Sequence, residues 1–119
     1  MLTDHWGPGL RVVVVGPAVT ACAAARGHHH AGRGDGFWHL LHASGITPRR
    51  YAPEEDGLLP GVGVGLADLV HDPARSGQRA TAADLRAFAA EVERYAPAWV
   101  AFHGKAAAAA GAVSLGHRP

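Results

Sequence analysis

Cysteine is nearly absent from this chain, which excludes several classes of protein. Cys22 is the only cysteine among 119 residues, so an intramolecular disulfide and a Cys-x-x-Cys zinc motif are both impossible. Long apolar runs are missing as well: the longest extend for about six residues, whereas a membrane span needs about 20. No signal-peptide pattern is present. We therefore expect a protein of the reducing cytoplasm with no membrane partner.

An excess of charge of either sign is also lacking. Eleven lysines and arginines are balanced by ten aspartates and glutamates. A nucleic-acid surface would therefore have to be a local basic face rather than a property of the whole chain. The length suits a single domain over residues 1–119. Within it, residues 1–9 should form an irregular lead-in, because Gly7, Pro8 and Gly9 are typical of a turn.

What the sequence does contain is a buried strand followed by a glycine-rich loop. Val12 to Val15 is a β-branched run typical of a strand buried on both faces of a parallel sheet. We expect Gly16 and Pro17 to end it, and the loop to reach a helix that begins at Phe37. A loop at the carboxyl end of such a strand is a common ligand site. Because the dinucleotide and phosphate-loop glycine motifs are both missing, we predict no nucleotide or other cofactor.

The rest of the chain alternates between helices and strands. Residues 64–70 and 99–102 are apolar runs typical of buried strands. Between them, Thr81 and Asp84 form a capping pattern ahead of a helical apolar period. A further helix begins at Lys105. This alternating order predicts an α/β fold of three layers, α/β/α, around a short, mostly parallel sheet.

Short segments spread along the whole chain match the motifs of one known enzyme family. They are Gly16-Pro17-Ala18-Val19-Thr20, residues 27–32, Phe37-Trp38, Gly45, Pro53-Glu54-Glu55, Gly65-Leu66-Ala67-Asp68-Leu69-Val70 and Val100-Ala101-Phe102-His103-Gly104-Lys105. In order and spacing they resemble the mismatch-specific uracil/thymine DNA glycosylases, a family of the uracil-DNA glycosylase superfamily. The resemblance implies a uracil-DNA glycosylase-like fold and an enzyme that binds DNA. We expect it to act as a monomer.

The resemblance also implies a reaction. Enzymes of this family flip a base out of DNA and hydrolyse the N-glycosidic bond of uracil, or of thymine mismatched with guanine, by water attack without a lysine Schiff base. An Asn after the first strand positions that water, but here Ala18 takes its place and has no polar atom for the task. The family also continues beyond this chain's C-terminus, with a further strand and a loop that wedges into DNA.

These differences leave other interpretations open. The chain could be a C-terminally truncated, catalytically impaired or inactive DNA-binding relative. A third interpretation, which the near-neutral charge permits, is an α/β domain that binds a small ligand and not DNA. Binding to a duplex that does not weaken with added salt would exclude both DNA interpretations, because phosphate contacts release counterions.

The candidate site residues follow from the resemblance. His30 best matches the family's base-stacking aromatic residue, and His28 or His29 would then contact phosphate or water. Asp35 would either cap the helix at Phe37 or orient water in place of the missing Asn. We assign candidate catalytic roles to Ala18, Asp35 and His28, base binding to Gly16, Pro17, His29 and His30, and DNA backbone contacts to Arg26, Arg33, His103 and Lys105.

Metal binding and thiol chemistry are rival interpretations of the same stretch. Three adjacent histidines cannot easily reach one ion from an extended strand, and the usual ligand spacings are absent, although His39 and His42 lie one helical turn apart. We therefore predict no metal site. Cys22 lies among alanines, which favours packing over an activated thiolate. Asp68, the one charged residue in the second strand, should make a structural hydrogen bond to a neighbouring loop.

Overall fold

The backbone forms a three-stranded parallel sheet with helices on both faces. In the computed structural model, which describes residues 3–30, 36–75 and 77–116, the strands are β1 (Val12–Ala18), β2 (Val64–Val70) and β3 (Trp99–Phe102). The α-helices are α1 (Ala21–Arg26), α2 (Phe37–Ala43), α3 (Ala82–Tyr95) and α4 (Lys105–Ser114), and 3-10 segments cover Pro53–Val62 and Pro73–Arg75. The strand order is β2-β1-β3, with parallel pairing throughout. The predicted α/β/α architecture is confirmed.

The first strand is longer than the valine run indicated. It continues through Gly16 and Pro17 to Ala18, so the expectation that Gly16 and Pro17 end it is wrong. On the β3 side the register ends at Val15, whereas on the β2 side it continues to Ala18. The polar backbone groups of Val15 face β3, and those of Pro17, two residues on, face the same way. The missing N–H of Pro17 therefore removes no bond to β2.

A short helix, α1, occupies part of the stretch that the sequence indicates as loop. The side chain of Thr20 accepts a hydrogen bond from the backbone N–H of Ala23 and caps the N-terminus of the helix. Gly27 follows the helix with a φ of 73°, in the left-handed region that glycine favours. The helix turns the chain back toward the sheet. His29 and His30, which follow Gly27, border the same cavity as Ala18.

Each face of the sheet has its own apolar core. One core joins the sheet to α2 and the longer 3-10 segment and contains Val14, Phe37, Trp38, Leu41, Tyr51, Leu59, Val64 and Leu66. The other joins it to α3 and α4 and contains Val13, Val15, Ala67, Leu69, Phe88 and Ala107. Within the described ranges, no helix has both the length and the apolar character needed to cross a membrane.

The N-terminal lead-in covers the outer edge of β2. His5 and Leu66 exchange two antiparallel backbone hydrogen bonds of 2.7 and 3.0 Å. The carboxylate of Asp4 accepts hydrogen bonds from the backbone N–H of Asp68 and from Nε2 of His71. β2 therefore has hydrogen-bonding partners on both sides, which protects its edge from pairing with another chain.

Candidate functional site

The carboxyl ends of the strands open onto a crevice between β1 and β3. The chain leaves β1 toward one face of the sheet and leaves β3 toward the other, where α4 packs. Such a reversal creates the crevice in which α/β proteins bind ligands. His30, from the loop after α1, and His103, from the end of β3, approach each other with ring centroids 5.3 Å apart. Candidate residues from two separate loops therefore lie together.

Asp68 and His29 form a buried pair near this edge of the sheet. Asp68 is 5% exposed and His29 is 2% exposed, and Nδ1 of His29 lies 3.2 Å from Oδ2 of Asp68. Nε2 of His29 lies 2.8 Å from the carbonyl oxygen of Thr3. Burial lowers the pKa of His29, but the hydrogen bonds to Asp68 and Thr3 and the neighbouring carboxylates together raise it above its ordinary value. The expected bond from Asp68 to a neighbouring loop is thus present.

Gly16 leaves room for the carboxylate of Asp68. The two residues are register partners in β1 and β2. A Cβ atom on residue 16 would lie 2.8 Å from Oδ1 of Asp68, a distance at which one of the two strands or the carboxylate must move. The absence of a side chain at this position is therefore explained by Asp68, while a contact between Gly16 and a base stays a prediction.

A cavity the size of a water molecule lies between Ala18 and Asp68. Its volume is about 30 Å³, and it is lined by Ala18, Thr20, Ala23, His29, His30 and Asp68. About 10–15 Å³ is enough for one water molecule, which also needs two to four polar partners. Thr20, His30 and Asp68 place polar side chains in the wall. The cavity therefore has the size and the lining to hold a water beside Ala18.

His30 is a shared wall of this small cavity and of a larger one. The larger cavity has a volume of about 440 Å³ and is lined by His30, Trp38, Arg50, Tyr51, Ala52, Pro53 and Glu55. One face of the His30 ring stacks on Phe37, with centroids 3.7 Å apart and planes 10° apart. A base could therefore stack only on the opposite face. The φ of His30 is 49°, an uncommon conformation that surrounding contacts must maintain.

His28 contacts Asp56. Its Nδ1 lies 3.0 Å from Oδ1 of Asp56, and the backbone N–H of His29 donates to Oδ2 at 2.8 Å. Burial raises the pKa of Asp56, but these two hydrogen bonds and the nearby His5 outweigh it, so the pKa lies below its ordinary value. His28 is not among the described residues that line the small cavity. Its catalytic role therefore stays a prediction.

Three of the predicted DNA backbone contacts lie on the surface. Arg26 is the last residue of α1, Lys105 is the first residue of α4, and His103 follows β3; all three are exposed. The ring of His103 packs against His30, so this residue belongs to the crevice. Arg33 lies outside the described residues, and its contact with DNA stays a prediction.

Pro17, another predicted site residue, is not among the described residues that line the two cavities bordered by His30. Pro17 is exposed and lines a separate cavity of about 510 Å³, together with Leu69 of β2 and Leu85 of α3. Its position gives no direct support to base binding. Asp35 lies outside the described residues, so neither its capping role nor its role in orienting water is tested.

Some of the residues that shape the site are not evident in the sequence. Asp56 meets His28 across 28 positions, and Asp4 meets His71 across 67 positions. No local sequence pattern predicts contacts between residues that are so far apart in the chain. Asp68 does carry a visible signal, because a single charged residue in an otherwise apolar strand must find a partner.

A comparison with known protein families gives a match over almost the whole chain. The family model for the Uracil DNA glycosylase superfamily matches residues 4–117. The matched range includes every strand and every helix described above. The match is to the superfamily as a whole, whose members act on DNA. The chain belongs to the uracil-DNA glycosylase superfamily.

Proposed function

We propose that this protein is a DNA glycosylase that hydrolyses the N-glycosidic bond of uracil, or of thymine mismatched with guanine. Membership of the superfamily supports base excision from DNA as the reaction class. The motif resemblance supports the mismatch-specific family. The observation that carries the proposal is the water-sized cavity between Ala18 and Asp68, because it offers a place for the attacking water although residue 18 has no polar atom.

In this proposal Asp68 replaces the missing Asn as the group that orients the water. As the glycosidic bond breaks, positive charge develops on the sugar, and a nearby carboxylate stabilises this charge. The attacking water also needs a hydrogen-bond acceptor, and a carboxylate can serve as that acceptor. Asp68 lies opposite Gly16 within the sheet, and His29 holds its carboxylate through the 3.2 Å contact. A catalytic group fixed by a strand and a buried partner is positioned more precisely than one on a loop.

The flipped base would occupy the larger cavity beside His30. Its volume of about 440 Å³ lies within the range of about 300–1,000 Å³ that is typical of small-molecule sites. Tyr51 and Arg50 supply aromatic and hydrogen-bonding groups in its wall. Because His30 also borders the small cavity, a base in the larger cavity and a water in the small one would both lie next to His30. His30 thereby keeps the base-stacking role assigned to it from the sequence.

DNA backbone contacts would come from the segment between β3 and α4. His103 lies against His30, and Lys105 begins α4. A phosphate at the first turn of α4 would meet both the lysine and the exposed N–H groups of the helix. Arg26, at the end of α1, is a further exposed cation. Such contacts predict binding that weakens as salt is added.

A single-turnover assay tests the proposal. The protein is placed in excess over a duplex that carries one uracil opposite guanine, with thymine–guanine and cytosine–guanine duplexes in parallel, and abasic sites are measured. We expect release of uracil above the no-protein control, and a loss of at least about tenfold in Asp68→Asn. Glu54→Gln, which removes an exposed carboxylate, is the matched control and should keep the wild-type rate.

The melting temperature of each variant shows whether it is folded, and Asn keeps the shape of Asp68. A folded Asp68→Asn that retains the wild-type rate would exclude Asp68 as the water-orienting group. Ala18→Asn adds an amide to the cavity wall, and we expect it to release base at least as fast as the wild type.

A second candidate function is favoured by Ala18 alone: a DNA-binding relative that does not cleave. In that case folded protein would bind the uracil duplex with a salt-dependent affinity and form no abasic sites. Base release by the wild-type chain would exclude this candidate.

A further inference from the structure

Three potential metal ligands converge where the N-terminal lead-in, the loop after α1 and the longer 3-10 segment meet. His5, His29 and Asp56 each offer one ligand atom, and these atoms lie within 4.8 Å of one another. Nε2 of His5 lies 3.4 Å from Oδ2 of Asp56, and the rings of His5 and His29 have centroids 5.2 Å apart. His5 is half-buried, and the other two residues are buried. We refer to these three residues as the lead-in cluster.

We propose that the lead-in cluster binds a divalent transition-metal ion and that zinc fits it best. Two imidazoles and one carboxylate are a ligand set that zinc accepts, whereas magnesium and calcium require oxygen ligands. Around a tetrahedral zinc ion with bonds of about 2.0–2.1 Å, ligand atoms lie about 3.3 Å apart. The separation of 3.4 Å between His5 and Asp56 is close to that value. A small inward movement of the third ligand would complete the set and leave one position for water.

The groups around the cluster already provide the second layer of contacts that metal ligands need. A histidine bound to a metal normally donates its other ring N–H to a carboxylate or a carbonyl. His29 has one acceptor of each kind, Asp68 at Nδ1 and Thr3 at Nε2. The ring nitrogen that binds the ion must lose its proton and give up its present acceptor, and the other ring nitrogen keeps an orienting partner. Asp56 is likewise held by His28 and by the backbone N–H of His29.

The local charge also favours a dication. The cluster contains one carboxylate, and a second, Asp68, lies in contact with His29. The two negative charges of Asp56 and Asp68 would together balance a doubly charged ion in a mostly buried site. The histidines are then neutral ligands, which means that zinc competes with protons and binds more weakly at acid pH.

A bound ion would connect three parts of the chain that are far apart in sequence. His5 belongs to the lead-in, which also pairs with β2 through Leu66. His29 follows α1, and Asp56 belongs to the segment Pro53–Val62. Because the three ligands come together only in the folded chain, zinc should stabilise the fold. This effect does not depend on base release.

Zinc titration of the full chain tests the proposal. Protein is first treated with EDTA and exchanged into chelator-free buffer, and binding of zinc chloride is then measured by calorimetry. We expect one ion per chain and a rise in the melting temperature of about 5 °C or more at saturating zinc. His5→Ala and Asp56→Asn should each weaken binding at least about tenfold. The matched control is the double variant His39→Ala/His42→Ala, which removes two exposed histidines of α2 and should bind zinc as the wild type does.

Cobalt provides a second readout that does not depend on the stability of the variants. A cobalt ion bound to wild-type protein should show the intense visible absorption of a four-coordinate site, and zinc should displace it. The proposal is overturned if the wild type binds no zinc below about 100 µM. It is also overturned if folded His5→Ala binds zinc normally or if the control double variant abolishes binding.

Discussion

Nδ1 of His29 lies 3.2 Å from Oδ2 of Asp68, and both side chains are almost completely buried. This contact ties the loop after α1 to β2. The attraction within a buried ion pair is largely offset by the cost of removing both groups from water, but removal of one partner leaves an uncompensated group in the interior. The pair therefore acts mainly as a geometric constraint that is costly to break.

Breaking this pair should destabilise the protein strongly. We expect His29→Leu to lower the free energy of unfolding by about 3–5 kcal/mol, because Asp68 loses its partner. The double variant His29→Leu/Asp68→Leu should lose less unfolding free energy than the sum of the two single variants, since it leaves neither member of this pair buried without its partner. Urea unfolding with a chelator present measures all four proteins. Strict additivity of the losses would show that the two side chains are not coupled.

Gly16→Ala tests the close packing of β1 against Asp68. The new methyl group would lie 2.8 Å from Oδ1 of Asp68, so the carboxylate or the strand must shift. We expect a loss of about 1–3 kcal/mol in unfolding free energy and slower base release. Gly61→Ala is the control, because it is exposed and no atom lies within 4 Å of its added Cβ. Equal effects of the two substitutions would contradict this account of Gly16.

The pair of His71 and Asp4 should make stability depend on pH. The hydrogen bond from His71 to Asp4, 2.9 Å long, raises the pKa of His71, although burial opposes it. Because the pKa of His71 is raised in the folded state, the pair contributes fully to the free energy of unfolding at pH values below the unfolded-state pKa of about 6.5. This contribution is lost as the pH rises through the folded-state pKa of His71. The wild type should therefore lose its stability advantage over His71→Gln as the pH rises above about 6.5, the ordinary pKa of histidine.

NMR titration of the His71 ring provides the direct measurement. Asp4→Asn should lower the pKa of His71 toward its ordinary value, whereas Asp72→Asn, which removes an exposed neighbour, should change it little. A His71 pKa that is the same in Asp4→Asn and in the wild type would contradict the pairing.

The sequence predicts the elements of this fold well wherever a local pattern decides them. β2 and β3 have the predicted bounds, and α3 begins directly after Thr81, with Asp84 in its first turn as the capping pattern predicts. These features depend on periodicity and capping, which lie within a few residues of each other. The end of β1 was not predictable in this way. Pro17 continues the strand only because β3 no longer pairs there, which is a property of the sheet.

The candidate site is less predictable for the same reason. The motif resemblance predicts a site in the loop after β1 and names His29 and His30, both of which border the small cavity. It does not reveal that His28 would contact Asp56 or that His5 would lie beside His29. Those contacts depend on where the lead-in and the 3-10 segment pack, and neither has a sequence pattern that specifies its partner.

The N-terminal cap of α3 is the last feature that we expect to respond to mutation and pH. The Arg75 guanidinium lies 2.6 Å from Oδ2 of Asp84. Thr81 and Asp84 form a capping box, in which the Thr81 side chain accepts a hydrogen bond from the Asp84 backbone N–H and the Thr81 backbone N–H donates one to the Asp84 carboxylate. The bond from Arg75, followed by those from Thr81, lowers the pKa of Asp84 to about 2 despite some burial. A lowered pKa means that the ionised Asp84 carboxylate stabilises the fold at pH values above the unfolded-state pKa of about 3.9, and that this stabilisation is lost as the pH falls through the folded-state pKa.

We expect Asp84→Asn to lower the free energy of unfolding by about 1 kcal/mol at pH 7, as the loss of a helix cap typically does. The difference in unfolding free energy between this variant and the wild type should shrink as the pH approaches 2. Urea unfolding at several pH values measures this, with Glu93→Gln as an exposed control on the same helix. A difference that stays constant down to the pH of acid unfolding would show that the ionised carboxylate of Asp84 is not what stabilises the cap.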